Sequence, residues 1–334
     1  MKTHKNLFEK VCNYENLYNA YLKARRGKND VAEVLKFNYN LEDELLKLQQ
    51  ELKNQTYKTG EYRHFIIFEP KERKISALPF RDRIIHHAVC NIIEPVFEKK
   101  FIYDSYACRK AKGTHAGADR IQKFIRKVSS DYYVLKCDVS KYFPSVNHEI
   151  LKQIIREKIA DKKLLQLLDN IIDSAEKGIP IGNLTSQLFA NIYLNKLDEY
   201  IKYELKIKYY LRYMDDFILL HESKQYLHEV KENIKVFFAS MKLTLHPKKA
   251  NIFPITLGID FLGYRIFNAH RLVRKSTVKR FLKNTKTKLR KYDSGNMDFD
   301  KLMESFNSWE AYMSHANSHH LKKSLHQEYF KNVM

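Results

Sequence analysis

Tyr213-Met214-Asp215-Asp216 constrains this chain more than any other stretch. Lys208-Tyr209-Tyr210-Leu211-Arg212 precedes it and Phe217-Ile218-Leu219-Leu220 follows, two aromatic and aliphatic runs with strand character. A short polar break between such runs predicts a hairpin tip. A tip with two adjacent carboxylates concentrates negative charge where neither aspartate is cheaply buried. That suits divalent cations, because hard Mg²⁺ takes carboxylate oxygens and leaves room for substrate phosphates. A solvated Asp-Asp turn looks the same, so this stretch alone leaves both readings open.

A two-metal phosphoryl-transfer site needs a further acid from another strand. Tyr132 to Asp138 supplies one, a strand-like run ending in aspartate and followed by Val139-Ser140-Lys141-Tyr142-Phe143-Pro144. The plainer alternative is an aspartate capping the next helix, with Phe143 in the core. Asp138 and Asp215 lie 77 residues apart, so only a fold can unite them. The pattern Asp138-x4-Phe143 resembles motif A of reverse transcriptases. In that family the aspartate holds metal and the aromatic lies under the nucleotide sugar, leaving no space for a 2′-hydroxyl.

Other blocks resemble the same family in the same order. Lys71 to Ala88, with Arg73 and Pro79-Phe80-Arg81-Asp82-Arg83, is similar to the fingers motif. Phe101 to Ala118 resembles the second block, and Ile179 to Ile192, with Ile181-Gly182 and Ser186-Gln187, resembles motif B. Leu243 to Lys249 resembles motif D, and Phe261-Leu262-Gly263-Tyr264 the primer grip. The resemblance covers about residues 60–265. Ile181-Gly182-Asn183-Leu184-Thr185-Ser186-Gln187, together with Pro79 to Ala88, looks like the reverse transcriptases of diversity-generating retroelements.

The resemblance implies an α+β right-hand polymerase with an antiparallel palm sheet packed on helices. It implies a helical N-terminal extension (1–60), fingers and palm (61–265) and a helical thumb (266–334). Asp138, Asp215 and Asp216 would hold two Mg²⁺ ions, with Mn²⁺ a possible substitute. Lys71 and Arg73 would contact the deoxynucleoside triphosphate. Phe143, Ile181, Gly182, Gln187 and Lys248 would line or serve the nucleotide site, and Phe261, Leu262 and Gly263 would grip the primer. Family membership further implies error-prone copying of a template-repeat RNA, mutagenic at adenine, to diversify a target gene by mutagenic retrohoming. Partners would be template RNA, a DNA or cDNA primer and a small basic oligomeric accessory variability protein. Another bacterial reverse transcriptase of the group II intron, retron or phage-defence type stands beside this reading, as does a non-catalytic RNA-binding protein on the same fold.

Charge agrees with a polyanionic partner: 60 Lys and Arg stand against 39 Asp and Glu, a formal net charge of +21. The 22 tyrosines and 20 phenylalanines include candidate stacking surfaces for single strands, although most are expected in the core. No apolar run is long enough to span a membrane, and the start of the chain lacks the apolar core of a signal peptide. Cys12, Cys90, Cys108 and Cys137 have no CxxC spacing and read as reduced thiols. Together these point to a cytoplasmic protein.

Periodicity predicts helices over most of 5–55, a hairpin over 61–78, a helix from Arg81 to Phe97 that stops near Pro95, and helices over 116–128 and 148–176. It predicts a long helix from Leu184 to Ile207, another from Lys224 to Met241, a basic helix from Val278 to Lys291 and a last one from Phe306 to Leu325. His315, His319 and His320 lie at helical spacing without acidic or cysteine partners, and read as surface or RNA-contacting residues.

Overall fold

The structure is a computed structural model that describes residues 3–68 and 72–329. Four helices come first, α1 (Phe8–Cys12), α2 (Tyr14–Arg25), α3 (Ala32–Tyr39) and α4 (Leu41–Lys53). Each buries one apolar stripe, such as Leu17, Ala20, Tyr21 and Ala24 on α2 or Leu45, Leu48 and Leu52 on α4. A two-stranded antiparallel hairpin follows, β1 (Arg63–Phe68) and β2 (Glu72–Ala77), whose first strand is exposed throughout. Next comes α5 (Phe80–Glu98), against which α2 lies. It carries Pro95 inside it and ends at Glu98, one residue past the expected end at Phe97. A proline removes one helical N–H and crowds the carbonyl four residues back. Here Val96 and Phe97 are buried beyond it and hold the last turn in place.

The chain continues through α6 (Thr114–Ile125), β3 (Tyr133–Asp138), α7 (Tyr142–Ser145), α8 (His148–Arg156), α9 (Lys162–Asp173) and α10 (Leu184–Glu199). Then come β4 (Tyr209–Tyr213), β5 (Asp216–His221), α11 (Lys224–Ser240) and β6 (Asn251–Pro254). The strands form a four-stranded antiparallel sheet in the order β4-β5-β3-β6. Successive side chains of a strand point to opposite faces, and both faces are covered. Leu135, Cys137, Phe217 and Leu219 join one apolar core, which also takes in α2, α5 and α10. Val134, Leu211, Ile218 and Leu220 join a second core beneath α6. Coverage on both sides explains why these strands read as continuous apolar runs. α10 is shorter than its sequence pattern suggests and gives way to a π-helical turn at Tyr200–Glu204.

A small antiparallel sheet of β7 (Ile259–Phe261), β8 (Tyr264–Ile266) and β9 (Arg271–Val273) leads into α12 (Lys275–Asp293), α13 (Phe299–Met313) and α14 (His319–Tyr329). Leu302, Phe306, Trp309, Met313 and Leu325 pack these last helices on each other. The single final helix expected from the sequence is two helices. Asn317 folds back on β9, its amide donating to the Arg271 carbonyl (2.8 Å) and its side-chain oxygen accepting from the Arg271 amide (3.1 Å). His315, just before it, stacks on His115 of α6 with ring centroids 3.7 Å apart. Among the described residues no helix is long and apolar enough to cross a membrane. All four cysteines are free thiols.

The first helix is seated by a distant residue. Leu7 and Phe8 donate their amides to Asp161 Oδ2 at 2.7 and 2.9 Å, while Asp161 Oδ1 caps α9 by accepting from the Leu164 amide. Replacing Asp161 by alanine removes a cap and strands two amides. The expected loss is about 2 kcal/mol of stability, read as a lower urea midpoint with faster hydrogen exchange at Leu7 and Phe8. Unchanged exchange at these two amides would show that α1 is held by its apolar face alone.

Candidate active site

The β4–β5 hairpin turns through Met214 and Asp215, with Tyr213 paired to Asp216 across the strands. Met214 takes a φ of +56°, a left-handed conformation that costs a side chain roughly 1 kcal/mol or more. The sequence reading set both aspartates at the tip, whereas Asp216 is the first residue of β5. There it lies in register with Asp138, the last residue of β3. The Val139 amide donates to the Asp215 carbonyl at 3.2 Å. Antiparallel pairing therefore gathers Asp138, Asp215 and Asp216 at one end of the central sheet.

Three carboxylates so close repel one another, and two lysines offset part of that repulsion. Lys249 Nζ lies 2.6 Å from Asp138 Oδ2, and Lys136 Nζ lies 3.5 Å from Asp216 Oδ2. Burial, then the charge of Asp138, pushes the Asp215 carboxyl above its ordinary range, while Lys249 and Arg73 pull it back. Burial pushes Asp216 up to about 6 against the pull of Lys136, with Asp138 and Asp215 adding to the rise. Asp216 Oδ1 is enclosed without a hydrogen-bond partner. A donor set made only of carboxylate oxygens, one of them unpartnered, suits a hard divalent cation in kind. Among the described residues no group of three or more His, Cys, Asp or Glu side chains converges as a finished metal cage. Asp138 and Asp216 are paired with their lysines instead.

The turn itself is held from behind. Arg212 of β4 and Asp198 of α10 form an ion pair with both side chains fully buried (0% exposed), joined at 2.7 and 2.6 Å. The same guanidinium donates to Asn191 Oδ1 (3.2 Å) and to the Met214 carbonyl (3.1 Å), and Tyr210 donates its hydroxyl to Asp198 (2.7 Å). Arg212 thereby connects α10 to the strained residue of the turn. Its backbone adds a parallel bridge to Ser105, with the Arg212 amide on the Asp104 carbonyl and the Tyr106 amide on the Arg212 carbonyl, both at 2.9 Å.

The other residues singled out from the sequence lie on separate elements. Arg73 is exposed on β2 and close enough for its charge to act on Asp215; Lys71 lies outside the described residues. The Ile181 carbonyl accepts from the Ser76 amide of β2 at 2.9 Å. Gly182 has a φ of +125°, and a Cβ there would meet the Ser76 carbonyl oxygen at 2.8 Å, so only glycine lets β2 approach this loop. Gln187 is exposed in the first turn of α10. Phe143 is half-buried on α7, and its carbonyl accepts from Ile179 at 2.9 Å. Lys248 is exposed, and the neighbouring Lys249 is the one that meets Asp138. Phe261, Leu262 and Gly263 form the β7–β8 turn, with Leu262 and Gly263 both at positive φ. Lys136 Nζ donates to the Asp260 carbonyl at 2.5 Å and so ties that hairpin to Asp216.

Sequence reasoning missed Lys136, Lys249 and the Arg212–Asp198 pair. A signal for Arg212 existed, since an arginine inside an otherwise apolar strand run must find a buried acceptor. It also missed a link between Asn183 and Tyr62 (3.0 Å), whose hydroxyl lies 2.8 Å from Ser174 Oγ.

Comparison with known proteins gives this geometry a context. The family described as "Reverse transcriptase (RNA-dependent DNA polymerase)" matches residues 58–266. Protein YkfC of Escherichia coli K12 is 27% identical over 250 residues, 61% of this chain and 64% of that protein. The group II intron-encoded protein LtrA of Lactococcus lactis is 25% identical over 345 residues, 80% of this chain and 55% of that protein. The chain thus spans between 55% and 64% of the length of these two relatives. Among solved structures, apo telomerase from Candida tropicalis superposes with a TM-score of 0.51 at 14% identity, covering 65% of this chain and 49% of that one. Its form truncated from the C-terminal domain gives 0.52 at 15%, covering 64% and 55%. At such identities the likeness concerns the fold alone.

The raised Asp216 carboxyl has a measurable consequence when divalent ions are chelated. A folded-state value of about 6 against an ordinary value of 3.8 means that the folded protein binds more protons between those limits. Stability should therefore fall as pH rises through that window, with the full penalty of burying the charge present above it. In chelator, Asp216→Asn should show a higher urea midpoint than the parent at pH 7, with the gap closing toward pH 4. A lower midpoint at pH 7 would mean that attraction to Lys136 outweighs the cost of burial.

Proposed function

The chain belongs to the reverse transcriptase family, and from that premise we propose that it copies RNA into DNA at the end of the central sheet where Asp138, Asp215 and Asp216 meet. The observation that carries this reading is the register of Asp138 against Asp216 beside the Met214-Asp215 turn. In this reading the central sheet is the palm of a right-hand polymerase, the β1–β2 hairpin belongs to the fingers and α12 to α14 form the thumb. Asp138 and Asp215 would hold Mg²⁺ directly, with Asp216 more peripheral. The bound ions would lower the pKa of the primer 3′-hydroxyl and steady the leaving pyrophosphate. Lys249 and Lys136 offset part of the repulsion among the site's carboxylates until bound cations take over that task. Arg73 reaches toward the triphosphate with Lys71, and Phe143 lies under the nucleotide sugar. Ile181, Gly182 and Gln187 line the nucleotide and template side, and Lys248 stands near the leaving group. The β7–β8 turn at Phe261, Leu262 and Gly263 grips the primer. The substrates are template RNA, a DNA primer and deoxynucleoside triphosphates.

Primer extension on an RNA template tests this reading. Asp138→Ala or Asp215→Ala should abolish extension, because each removes a metal-holding carboxylate. RNA binding should persist, since it rests on many dispersed basic contacts. Substantial extension by the Asp215→Ala protein would remove the acids from the chemistry.

Within the family, the motif from Ile181 to Gln187 supports a diversity-generating retroelement enzyme, which makes adenine-mutagenic cDNA with a small basic accessory protein. The match to LtrA favours a second reading, a group II intron-type enzyme. Ile181 separates the two. An amide at this place could hydrogen-bond the nascent pair, whereas isoleucine offers packing only. One such hydrogen bond is worth about 1 kcal/mol, a several-fold change in error rate. Sequencing cDNA made by the parent and by Ile181→Gln should show fewer errors opposite template adenines in the variant. Equal error with activity retained would leave Ile181 as a packing residue.

A further inference from the structure

We propose that the outer end of the β4–β5 hairpin, together with the Tyr103 loop beside it, is a second docking site for single-stranded nucleic acid, separate from the catalytic cleft. Tyr209 and Leu220 pair at that outer end, while Tyr213 and Asp216 pair at the aspartate end. Four strand residues separate the two, roughly 14 Å.

Three observations point to the ligand. First, the outer end holds a cavity of about 290 Å³ whose walls include Tyr132, Tyr209, Tyr226, His221, Lys206 and Lys208. The His221 and Tyr226 rings lie 4.5 Å apart, and Lys208 Nζ stands 5.3 Å from the Tyr209 ring centre. Glu222 is the one acid on the wall, and it is exposed. Second, ring and cation contacts run from the cavity, through the buried Phe124, to the exposed Tyr103. Tyr209 meets Phe124 edge to face at 5.4 Å, and Arg120 lies over Phe124 at 4.7 Å and over Tyr103 at 5.1 Å. Lys112 Nζ sits 3.6 Å from the Tyr103 ring centre. Tyr103 is 68% exposed, so its ring is open to a stacking partner. Third, the cations crowd one another. Burial depresses Lys112 and Lys202; Arg109 and Arg120 add to this at Lys112 and Arg120 at Lys202, while Asp104 pulls both back and Glu98 pulls back Lys112. Lys202 Nζ donates to the Lys208 carbonyl. Asp104 and Glu98 are acids of the strip, and both are already engaged: Arg120 holds the two Asp104 oxygens at 2.7 and 3.0 Å, and Arg109 holds Glu98 at 2.6 Å.

One exposed ring, Tyr103, and the half-buried rings of the cavity, interleaved with lysines and arginines, match a chain whose flat bases stack while its phosphates neutralise cations. A duplex hides its base faces and would leave Tyr103 without a partner. A protein partner would be expected to find more acceptors and fewer like charges. The site would hold a single-stranded stretch of template or product while the paired end is worked on at the aspartates.

The test reads binding without turnover, so it stands apart from the polymerase reading. Fluorescence anisotropy would follow an unstructured RNA of about 12 nucleotides, and separately a DNA of the same sequence. The variants are Tyr103→Ala and the pair Lys206→Ala with Lys208→Ala, with Lys206→Gln and Lys208→Gln in reserve should the pair unfold. Tyr103→Ala should weaken binding about tenfold. The lysine pair should reduce the slope of log affinity against log salt by about 1.4. Extension of a short primer–template with a two-nucleotide overhang should be unchanged. Loss for RNA alone assigns the site to template, and loss for DNA alone assigns it to product. Unchanged affinity and salt slope for both strands would overturn the proposal. So would an equal loss on the short primer–template, which would put these residues in the catalytic cleft.

Discussion

Arg212 and Asp198 have no access to water, and much of the molecule is arranged to keep them satisfied. Removing one partner of such a pair leaves a buried charge and costs about 3–5 kcal/mol. The guanidinium's donors therefore have to be met in fixed places: two on Asp198, and one nitrogen shared by Asn191 and the Met214 carbonyl. α10 supplies Asp198 and Asn191, so the helix, the strand and the turn move as one piece. The segment at Asp104 to Tyr106 is fastened to the same arginine through its backbone. A left-handed methionine is tolerable at the turn because this network over-determines it.

That anchoring matters because the turn carries unfavourable charge. Asp215 and Asp216 are both raised by burial and by neighbouring acids. Left mobile, the turn would relax outward into water. Held from behind, it keeps its carboxylates close to Asp138, where only positive charge relieves the repulsion. Lys136 and Lys249 provide some of that relief from β3 and from the segment after α11. Lys136 also reaches the Asp260 carbonyl, so the same charge that steadies Asp216 fixes the neighbouring β7–β8 hairpin.

The strands bearing the acids were legible in the sequence because aromatic and branched residues fill them and polar residues end them. The antiparallel pairing of β3 with β5 was legible only through a resemblance, since nothing local to Asp138 names its partner. Boundaries suffered where packing overrode a local rule. α5 ends within one residue of its expected end, with Pro95 carried inside by buried Val96 and Phe97, whereas the last helix broke because Asn317 found partners on β9. Lys249 could not be told from Lys248 by pattern, since which of two adjacent lysines turns inward depends on the strand beside them. Asp198 reads as an ordinary helix residue until the fold sets it against Arg212.

The seating of the first helix sets an order of events during synthesis. Leu7 and Phe8 rest on Asp161, and His4 bridges to Ile159. A ribosome adding about 5–20 residues per second needs roughly 8–30 s to make the 154 residues between Leu7 and Asp161. Over that interval α1 emerges with Asp161 still unmade. Helices α2, α4 and α5 can already pack on α1, but the Leu7 and Phe8 amides wait for an acceptor that lies nearly half the chain further on. Slow or interrupted synthesis would lengthen that wait, so the final seating of α1 is among the late events as the chain emerges.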